Sequence, residues 1–404
     1  MQQPTVLIGF AEAMAAPETL WSLVDAGFSV IAFARKGRAS ALRHSRHVVC
    51  HEICAPESDL NAALADLQSL LISVGVQTNG AQPVLFPLDD RAVWLCSQLP
   101  SVSGQVLAGP KGMCADLALN KSLQVGMARE AGFNVPQTAL VRTAEELLDF
   151  CSSAEFPIVL KAVECVSKYQ GRVYSCPHWI CANQRELDRA IGEWGERAPL
   201  LAQNYITGVG EGVFGIATSG GVRAWSGHRR LRMMNPRGSG SSACTSQLVP
   251  QDLRSIVETF LGRAGWRGLF MIELLRDSAG KLWFIELNGR PWGSMALSRC
   301  QGLEYPAWNV KLALDENSPV DMAQSPPAGV VCRHLGRELM HVLFVLRGAK
   351  SKAQDNWPSL WKTIREVMCL HRGDGFYNWR RDDAKVFLAD CYYTIHDNLF
   401  KATS

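Results

Sequence analysis

Hydrophobic and polar positions in the first quarter of the chain alternate between short apolar runs and longer amphipathic stretches. The apolar runs are TVLIGF, FSVIAFAR, HVVCHEI and PVLFPLDD, and they are separated by segments such as APETLWSLVDAG and DLNAALADLQSLLISVG. Short apolar runs that alternate with segments of helical periodicity are typical of parallel βα units. The pattern therefore predicts an α/β domain over residues 1–112.

The next segment has a more compact pattern. A helical stretch, LNKSLQVGMAREAG, is followed by PQTALV, TAEELLDFCSS, FPIVLKAV, GRVYSC, NQRELDRAIGEWGE and PLLAQNYI. Strands and helices follow one another too closely here for a second doubly wound sheet. We expect a small α+β lid over residues 113–206, so that the fold class is α/β and α+β.

Two hairpins dominate the pattern between residues 207 and 315. The first joins GVFGIAT to GVRAWSGHRRLRMM through SGG, and the second joins LFMIELL to KLWFIELN through RDSAG, with the helix PQDLRSIVETFLGRAG between them. A polar connection that contains proline follows, and residues 316–404 are predicted to form a mostly helical extension.

Composition and charge narrow the classes of partner. The 404 residues are 47% hydrophobic, and 41 basic against 38 acidic residues give a net charge of +3. No basic tract indicates nucleic-acid binding, and no apolar run reaches the ~18 residues that a membrane span requires. The thirteen cysteines have no framework spacing, which indicates a reduced, cytoplasmic protein. Small molecules are the expected partners.

The second hairpin places polar residues on a strand that is otherwise apolar. A two-residue turn within RDSAG would set Glu273 opposite Phe284 and diagonal to Glu286. Because side chains alternate along a strand, Asn288 and Arg290 would share the face of Glu286. The pattern thus predicts two carboxylates, an amide and a guanidinium on one face.

Two interpretations of this face remain open. Carboxylate and amide oxygens are ligands that suit Mg²⁺, which commonly takes further ligands from substrate phosphates. Alternatively, the hairpin face is solvated and Arg290 pairs with Glu273 or Glu286. A slip of one residue in the strand register would disperse the cluster.

These residues resemble a known family. Glu273, thirteen positions before Glu286 in the ELNGR motif, resembles the metal and phosphate site of the ATP-grasp superfamily. The stretches LNKSLQVGMAREAGFNVPQTALV, FPIVLKAV and LLAQNYITGVGEGVFG resemble its nucleotide-binding segments in the family's order. With HRRLR and NWRRDDAKVFLAD, the chain is most similar to the carboxylate-amine ligase branch, and the resemblance covers about residues 1–300.

The resemblance implies an architecture and a set of ligands. It implies a Rossmann-like pre-ATP-grasp domain (1–112), a lid subdomain (113–206), a second ATP-grasp subdomain with the metal site (207–315) and the extension (316–404). ATP is the implied nucleotide, and Mg²⁺ is the implied metal, with Mn²⁺ as the alternative. The implied metal ligands are Glu273, Glu286 and Asn288.

The resemblance also implies roles for individual residues. Lys161 and Arg290 would contact phosphates, and Arg290 and Arg230 would assist catalysis. Backbone groups near Tyr205 and Ile206 would hold adenine, and Glu211 would bind the ribose. The full set of implied nucleotide-contacting residues is Lys121, Lys161, Gln203, Tyr205, Ile206 and Glu211.

The implied reaction is the ATP-dependent joining of a carboxylate to an amine. ATP would phosphorylate the carboxylate, and the amine would displace phosphate from the acyl phosphate. The alternatives are a small-molecule kinase, which stops after phosphoryl transfer, and a non-catalytic nucleotide-binding regulator. The resemblance does not decide whether the protein is a monomer or a homodimer.

Four features leave further alternatives open. The lid loop VECVSKYQGRV has one glycine, so Lys168 could replace a glycine-rich phosphate loop by charge or be a solvated lysine. NPRGSGSSACTS at 235–246 could approach an acyl phosphate or form a flexible crossover.

Strand alternation predicts that His228, Arg230 and Arg232 share a face, which binds phosphates or an acidic substrate or is simply solvated. Asp89 and Asp90 could bind a ligand, but N-capping of a helix is the favoured interpretation.

Overall fold

The computed structural model describes residues 4–77, 83–99, 105–169, 172–174, 176–236, 238, 240–320, 326–348, 357–371 and 373–400. Its N-terminal unit is a parallel sheet in the order β3-β2-β1-β4-β5. The elements are β1 (Val6–Gly9), α1 (Ala16–Asp25), β2 (Val30–Arg35), a 3₁₀ helix (Ala41–His44), β3 (Val49–Ile53), α2 (Leu60–Gln77), β4 (Val84–Pro87), α3 (Asp90–Ser97), β5 (Val106–Leu107) and α4 (Met113–Leu119).

Burial on both faces explains the apolar runs of this sheet. Ile8 packs in one core with Trp21 of α1, whereas Leu7 packs in a second core with Leu67 of α2 and Leu95 of α3. The chain leaves β1 toward β2 and β3 and later returns to β4 and β5 on the other side. This reversal makes the carboxyl ends of β1 and β4 a topological switch point, where α/β sheets commonly bind ligands.

The lid sheet has the order β10-β7-β11-β6. Ile158 and Leu160 pack against the helices α6 and α7, so the alternate residues Val159 and Lys161 face away from those helices. The elements are α5 (Lys121–Glu130), β6 (Thr138–Val141), α6 (Ala144–Ser153), β7 (Ile158–Ala162), β8 (Ser167–Tyr169), β9 (Arg172–Tyr174), β10 (Trp179–Cys181), α7 (Gln184–Trp194) and β11 (Leu200–Asn204).

The third unit is built on a sheet in the order β16-β15-β12-β13-β14-β17-β18. Up to residue 315 its elements are β12 (Val209–Thr218), β13 (Gly221–Met233), β14 (Ser241–Gln247), α8 (Gln251–Arg263), β15 (Gly268–Arg276), β16 (Leu282–Asn288), α9 (Met295–Cys300) and α10 (Tyr305–Leu314). The two predicted hairpins are β12–β13 and β15–β16, and both are confirmed.

The extension contributes strands as well as helices. Its elements are β17 (Val331–Arg333), α11 (Leu335–Arg347), α12 (Leu360–Met368), β18 (Gly375–Phe376), a 3₁₀ helix (Arg381–Asp383) and α13 (Ala384–Phe400). β17 pairs antiparallel with β14, and β18 pairs parallel with β17. Trp21 Nε1 donates to Asp383 Oδ2 at 3.0 Å, which ties the extension to the N-terminal unit.

The predicted register of the second hairpin is wrong, but its face assignment is right. The turn is one residue longer, because Asp277 N donates to Lys281 O at 3.0 Å. That change alone would turn Glu286 to the opposite face. A β-bulge beside Glu273 adds a second shift, which sets Glu273 directly opposite Glu286. The two irregularities cancel, so both carboxylates share one face.

No helix among the described residues combines the length and the apolar character that crossing a membrane requires.

Candidate active site

Two carboxylates face each other across the strands β15 and β16. Like charges at opposed positions repel, and each one here has a cationic partner. Arg230 Nη2 donates to Glu273 Oε1 at 2.6 Å, and Lys121 Nζ lies 3.1 Å from Glu286 Oε2. Asn288 Nδ2 donates to Glu286 Oε1 at 3.2 Å, which leaves the Asn288 carbonyl oxygen available to a ligand.

Lys121 is placed by the start of α5. Asn120 caps this helix, and Lys121 N donates to Val163 O at 2.8 Å, which fixes α5 beside the lid. The ammonium also donates to Cys165 Sγ at 3.2 Å. Burial raises the pKa of Cys165 to about 11, so the thiol stays neutral. Burial acts to lower the pKa of Lys121, but the Glu286 carboxylate and other nearby groups outweigh this effect and raise the pKa above its usual value, so the lysine is charged.

Lys161 reaches the same region from β7 without a partner. Among the described residues its ammonium makes no hydrogen bond or ion pair. Burial lowers the pKa of Lys161 and the Lys121 ammonium lowers it further, while Glu286 and Glu273 act in the opposite direction. Burial also acts to raise the pKa of Glu286, but Lys121 and Lys161 lower it below its usual value. A desolvated, unpaired ammonium beside these acids is suited to bind an anion.

The phosphate contact that the resemblance implies for Lys161, together with the lowered pKa of this lysine, predicts a pH dependence of nucleotide binding. Affinity for Mg-ATP should fall as pH rises through this pKa, at a lower pH than for an ordinary lysine of pKa ~10.4. Lys161→Arg should flatten the dependence because arginine stays charged. Calorimetric titration across pH 7 to 9.5 would measure both proteins. Identical pH profiles would show that Lys161 does not carry the effect.

Gln124 was not identified from the sequence, although it fixes the acidic strand. This buried residue of α5 accepts from Leu287 N and donates to Leu287 O, both at 2.9 Å. Leu287 lies between Glu286 and Asn288 on the edge strand β16, whose outer backbone groups would otherwise lack partners. Gln124 therefore positions both residues through the backbone. A glutamine within an otherwise helical apolar pattern is the signal that could have identified it.

His178 is a second residue that the sequence analysis missed. It lies just before β10, and partial desolvation of its imidazole lowers its pKa although the residue is still exposed to solvent. The Lys161 ammonium lowers the pKa further and Glu286 raises it, so the imidazole lies within electrostatic range of both. A neutral imidazole can donate and accept hydrogen bonds beside a phosphate. No local sequence pattern indicates this placement, which depends on how the lid is folded.

Arg290, two residues after β16, links this strand to the N-terminal unit. Its Nε donates to Asp90 Oδ1 at 2.8 Å and its Nη2 donates to Oδ2 at 3.3 Å. Burial acts to lower the pKa of Arg290, but Asp90 raises it. Arg290 therefore pairs with Asp90, and the alternative in which it pairs with Glu273 or Glu286 is wrong. Asp89 Oδ1 accepts from Ala92 N at 2.7 Å, which confirms the predicted helix cap.

The implied adenine contacts lie at the end of β11. Tyr205 N donates to Pro157 O at 3.2 Å, and Gln203 Nε2 donates to Thr138 Oγ1 at 2.7 Å. Ile206 lines a cavity of about 450 Å³. The amide of Gln203 is thus occupied, and adenine binding here stays a prediction.

Glu211 lies on the other face of the sheet. Gly212 is opposite Glu273, so the preceding side chain points away from the acid pair. The Glu211 carboxylate accepts from Arg276 at 2.8 and 2.9 Å and from Gln247 Nε2 at 3.2 Å. The implied ribose role of Glu211 would require this buried ion pair to open.

The arginines of β13 do not form a solvated basic face. Arg230 crosses to Glu273, and a Cβ at Gly210 would meet the Arg230 side chain at 2.5 Å. Arg232 makes a bidentate pair with Glu338 of α11. His228 is buried with its Nδ1 2.8 Å from Ser294 Oγ, and burial lowers its pKa to about 3. Arg232 and His228 therefore have structural environments. The expectation that at least one arginine of this strand binds phosphates or an acidic substrate now rests on Arg230, where it stays a prediction.

The Arg232–Glu338 pair predicts a large effect on stability. Arg232→Met should destabilise the protein by ~3–5 kcal/mol, because the Glu338 side chain is only 2% exposed and would lose its partner. Arg229→Met, on the same strand but exposed, should change stability by less than ~0.5 kcal/mol. Urea denaturation compares the two variants. Equal midpoints would contradict the assigned role.

The two loops that were left open have defined places. Lys168 lies on the hairpin β8–β9, with its ammonium 4.5 Å from the centre of the Trp94 ring, and Val173 N donates to Pro56 O at 3.1 Å. The hairpin is thus docked on the N-terminal unit. In the stretch 235–246, residues from Ser241 onward form β14, and positions 237 and 239 lie outside the described residues.

Comparison with known proteins is informative at the level of structure. No family model matches the chain, and no curated protein matches it by sequence. The biotin carboxylase domain of Hydrogenobacter thermophilus 2-oxoglutarate carboxylase, in complex with MgADP, ADP and bicarbonate, is 17% identical with a TM-score of 0.62, covering 82% of this chain and 74% of that one.

Two further structures extend the comparison. The ADP complex of PurK, N5-carboxyaminoimidazole ribonucleotide synthetase, is 14% identical with a TM-score of 0.62, covering 91% of this chain and 96% of that one. L-amino acid ligase from Bacillus licheniformis is 16% identical with a TM-score of 0.57, covering 78% of this chain and 75% of that one. The chain therefore has the ATP-grasp fold that its sequence motifs predict.

Proposed function

We propose that this protein is an ATP-dependent ligase that joins a carboxylate to an amine through an acyl phosphate, releasing ADP and phosphate. The observation that carries the proposal is the unpaired Lys161 ammonium beside the opposed Glu273–Glu286 carboxylates. An unpaired buried cation is costly in the free protein and is compensated when an anionic ligand binds.

The residues present fit a divalent cation. Glu273 Oε2 accepts no hydrogen bond among the described residues, and the amide orientation of Asn288 leaves its carbonyl oxygen free. These are hard oxygen ligands of the kind that Mg²⁺ prefers. When bound by Glu273, Glu286 and Asn288, Mg²⁺ would offset the phosphate charge that grows during transfer. Mn²⁺ has similar ligand preferences and is the alternative.

The side chains of this chain supply positioning and charge. Phosphoryl transfer requires little covalent participation from a protein, so oriented cations supply most of what is needed. Lys161 and Lys121 hold the nucleotide phosphates. Arg230 orients Glu273, and Arg290, which is held by Asp90, faces the transferred group. A substrate carboxylate oxygen bonds to the γ-phosphorus while the bond to ADP breaks. The amine then bonds to the carbonyl carbon, and phosphate leaves with the former carboxylate oxygen.

Water exclusion is required because an acyl phosphate hydrolyses readily. Val173 of the hairpin β8–β9 and Val166, which precedes it, pack against Leu60 of the N-terminal unit. This contact supports a lid that closes by apolar packing and does not need a glycine-rich loop. We propose that the closed hairpin protects the intermediate.

A substrate screen separates this proposal from its alternatives. Amino acids and small carboxylic acids are supplied with Mg-ATP and hydroxylamine, and ADP and hydroxamate are measured together. A ligase gives both products in equal amounts. A kinase gives ADP with a stable phosphoester, and a regulator binds ATP without turnover, so either of those results would replace the proposal.

A further inference from the structure

A second cavity, of about 430 Å³, lies between the N-terminal unit and the C-terminal extension. This volume is in the ~300–1,000 Å³ range typical of small-molecule sites. One wall consists of loops that follow β1, β2 and β3, and the other consists of residues from α11 and α13. The residues that matter here are Glu12, Arg35, Arg337 and Asp390.

The first wall is at the topological switch point of the parallel sheet. The loop after β1 carries Glu12, and Arg35 is the last residue of β2. The Arg35 guanidinium lies within 4 Å of the carboxylates of Glu12, Glu57 and Asp89, and it donates a hydrogen bond to Asp89. This wall is therefore preorganised by internal ion pairs, and its charges largely compensate one another.

Arg337, on the opposite wall, is not saturated. Its one side-chain hydrogen bond runs from Nη1 to Ser241 O at 3.2 Å, and no carboxylate of the described residues forms an ion pair with it. Burial lowers the pKa of Arg337. A Cβ at Gly240 would collide with the guanidinium, so this glycine makes the close approach to the backbone possible. Arg337 thus faces the cavity with unfilled donors, which suits a carboxylate.

Asp390 supplies the opposite charge in the same cavity. Its Oδ2 lies 3.0 Å from both His334 Nε2 and Asn378 Nδ2. Burial acts to raise the pKa of Asp390, but His334 and Asn378 lower it below its usual value, so it is ionised. Asp390 and Arg337 attract each other but form no direct ion pair. Two opposite charges are therefore held apart at one cavity, each by its own hydrogen bonds.

Charge interactions and ion pairs connect both walls of the cavity with residues of the candidate active site. The charge of Arg230 lowers the pKa of Arg337, so these guanidinium groups are within electrostatic range. On the other side, Arg35 Nη2 donates to Asp89 Oδ2 at 2.7 Å. Asp89 is adjacent in sequence to Asp90, which is the partner of Arg290. A molecule in the cavity could therefore present a reactive group toward the phosphate site.

We propose that this cavity binds a zwitterion of the amino-acid class, with its carboxylate on Arg337 and its ammonium on Asp390. The claim that such a molecule is a substrate rests on the proposed ligase function. The claim that it binds in the cavity does not depend on that function. Arg337 and Asp390 thus place a cation and an ionised carboxylate in one cavity, and this arrangement favours a zwitterion over a simple anion or amine.

Binding without turnover tests the proposal. A panel of L-amino acids is titrated calorimetrically in the absence of ATP, together with the amide and the deamino acid of each ligand that binds. Arg337→Gln should weaken amino-acid binding at least tenfold but leave binding of the amide unchanged, because the amide lacks the group that Arg337 contacts. Asp390→Asn should weaken amino-acid binding similarly but leave binding of the deamino acid unchanged.

The controls separate this proposal from folding and from the proposed function. Arg347→Gln, on the same helix α11 but outside the cavity, should bind amino acids as the native protein does. Mg-ATP affinity of each variant reports folding of the active site independently. The proposal would be overturned if the amino-acid affinity of Arg337→Gln were within twofold of the native affinity. It would also be overturned if the native protein bound Mg-ATP but no amino acid. Amino-acid binding without any ATP turnover would instead contradict only the ligase function.

Discussion

Glu286→Ala is expected to abolish ATP turnover while the protein remains folded. The variant loses a proposed metal ligand and leaves the Lys121 and Lys161 ammonium groups without their shared counter-charge. Losing transition-state stabilisation of ~4 kcal/mol corresponds to a roughly thousandfold lower rate. ADP release under saturating Mg-ATP and substrate would measure the effect.

Glu130→Ala is the matched control for this variant. Glu130 is exposed and pairs with Arg263 at 3.0 Å, far in sequence from the acid pair. Its removal should leave turnover unchanged. A folded Glu286→Ala protein with at least half of the native activity would rule out the metal-site assignment.

Lys161→Met should weaken Mg-ATP binding without destabilising the protein. A charge-assisted contact of about 1.5–3 kcal/mol corresponds to a roughly 10- to 150-fold higher Kd. Because Lys161 has no hydrogen-bond or ion-pair partner among the described residues, its removal should leave the unfolding temperature unchanged or raise it. That combination distinguishes a ligand-binding lysine from a structural one. Calorimetric titration and thermal unfolding measure the two quantities.

Lys168→Ala provides the comparison, because this lysine stacks on Trp94 of the N-terminal unit. We expect less than a threefold change in Kd. The ranking fails if Lys168→Ala is the more damaging change, or if Lys161→Met unfolds the protein before any ligand is added.

The sequence predicts the parts of the site that lie on one periodic segment. Glu286 and Asn288 share a face because they are two residues apart on a strand. Their relation to Glu273 was predicted through a wrong register, and it holds because a longer turn and a bulge cancel. Neither irregularity has a pattern in the apolar run that could have shown it.

Contacts between distant segments could not be predicted in this way. The Arg290–Asp90 and Arg232–Glu338 pairs join residues whose relative position depends on the whole fold. The strands of the extension, Val331–Arg333 and Gly375–Phe376, are too short for an alternating pattern to be recognised. They are strands because β14 presents an open edge to β17.

The identity of the intermediate is tested most directly by following oxygen. A substrate carboxylate labelled with ¹⁸O in both positions is incubated with Mg-ATP and the amine, and the released phosphate is analysed by mass spectrometry. An acyl-phosphate ligase transfers one labelled oxygen to each phosphate, because the amine displaces the carboxylate oxygen together with the phosphoryl group. We therefore predict one ¹⁸O in each phosphate for every amide formed. Unlabelled phosphate accompanying the amide would contradict the proposed mechanism.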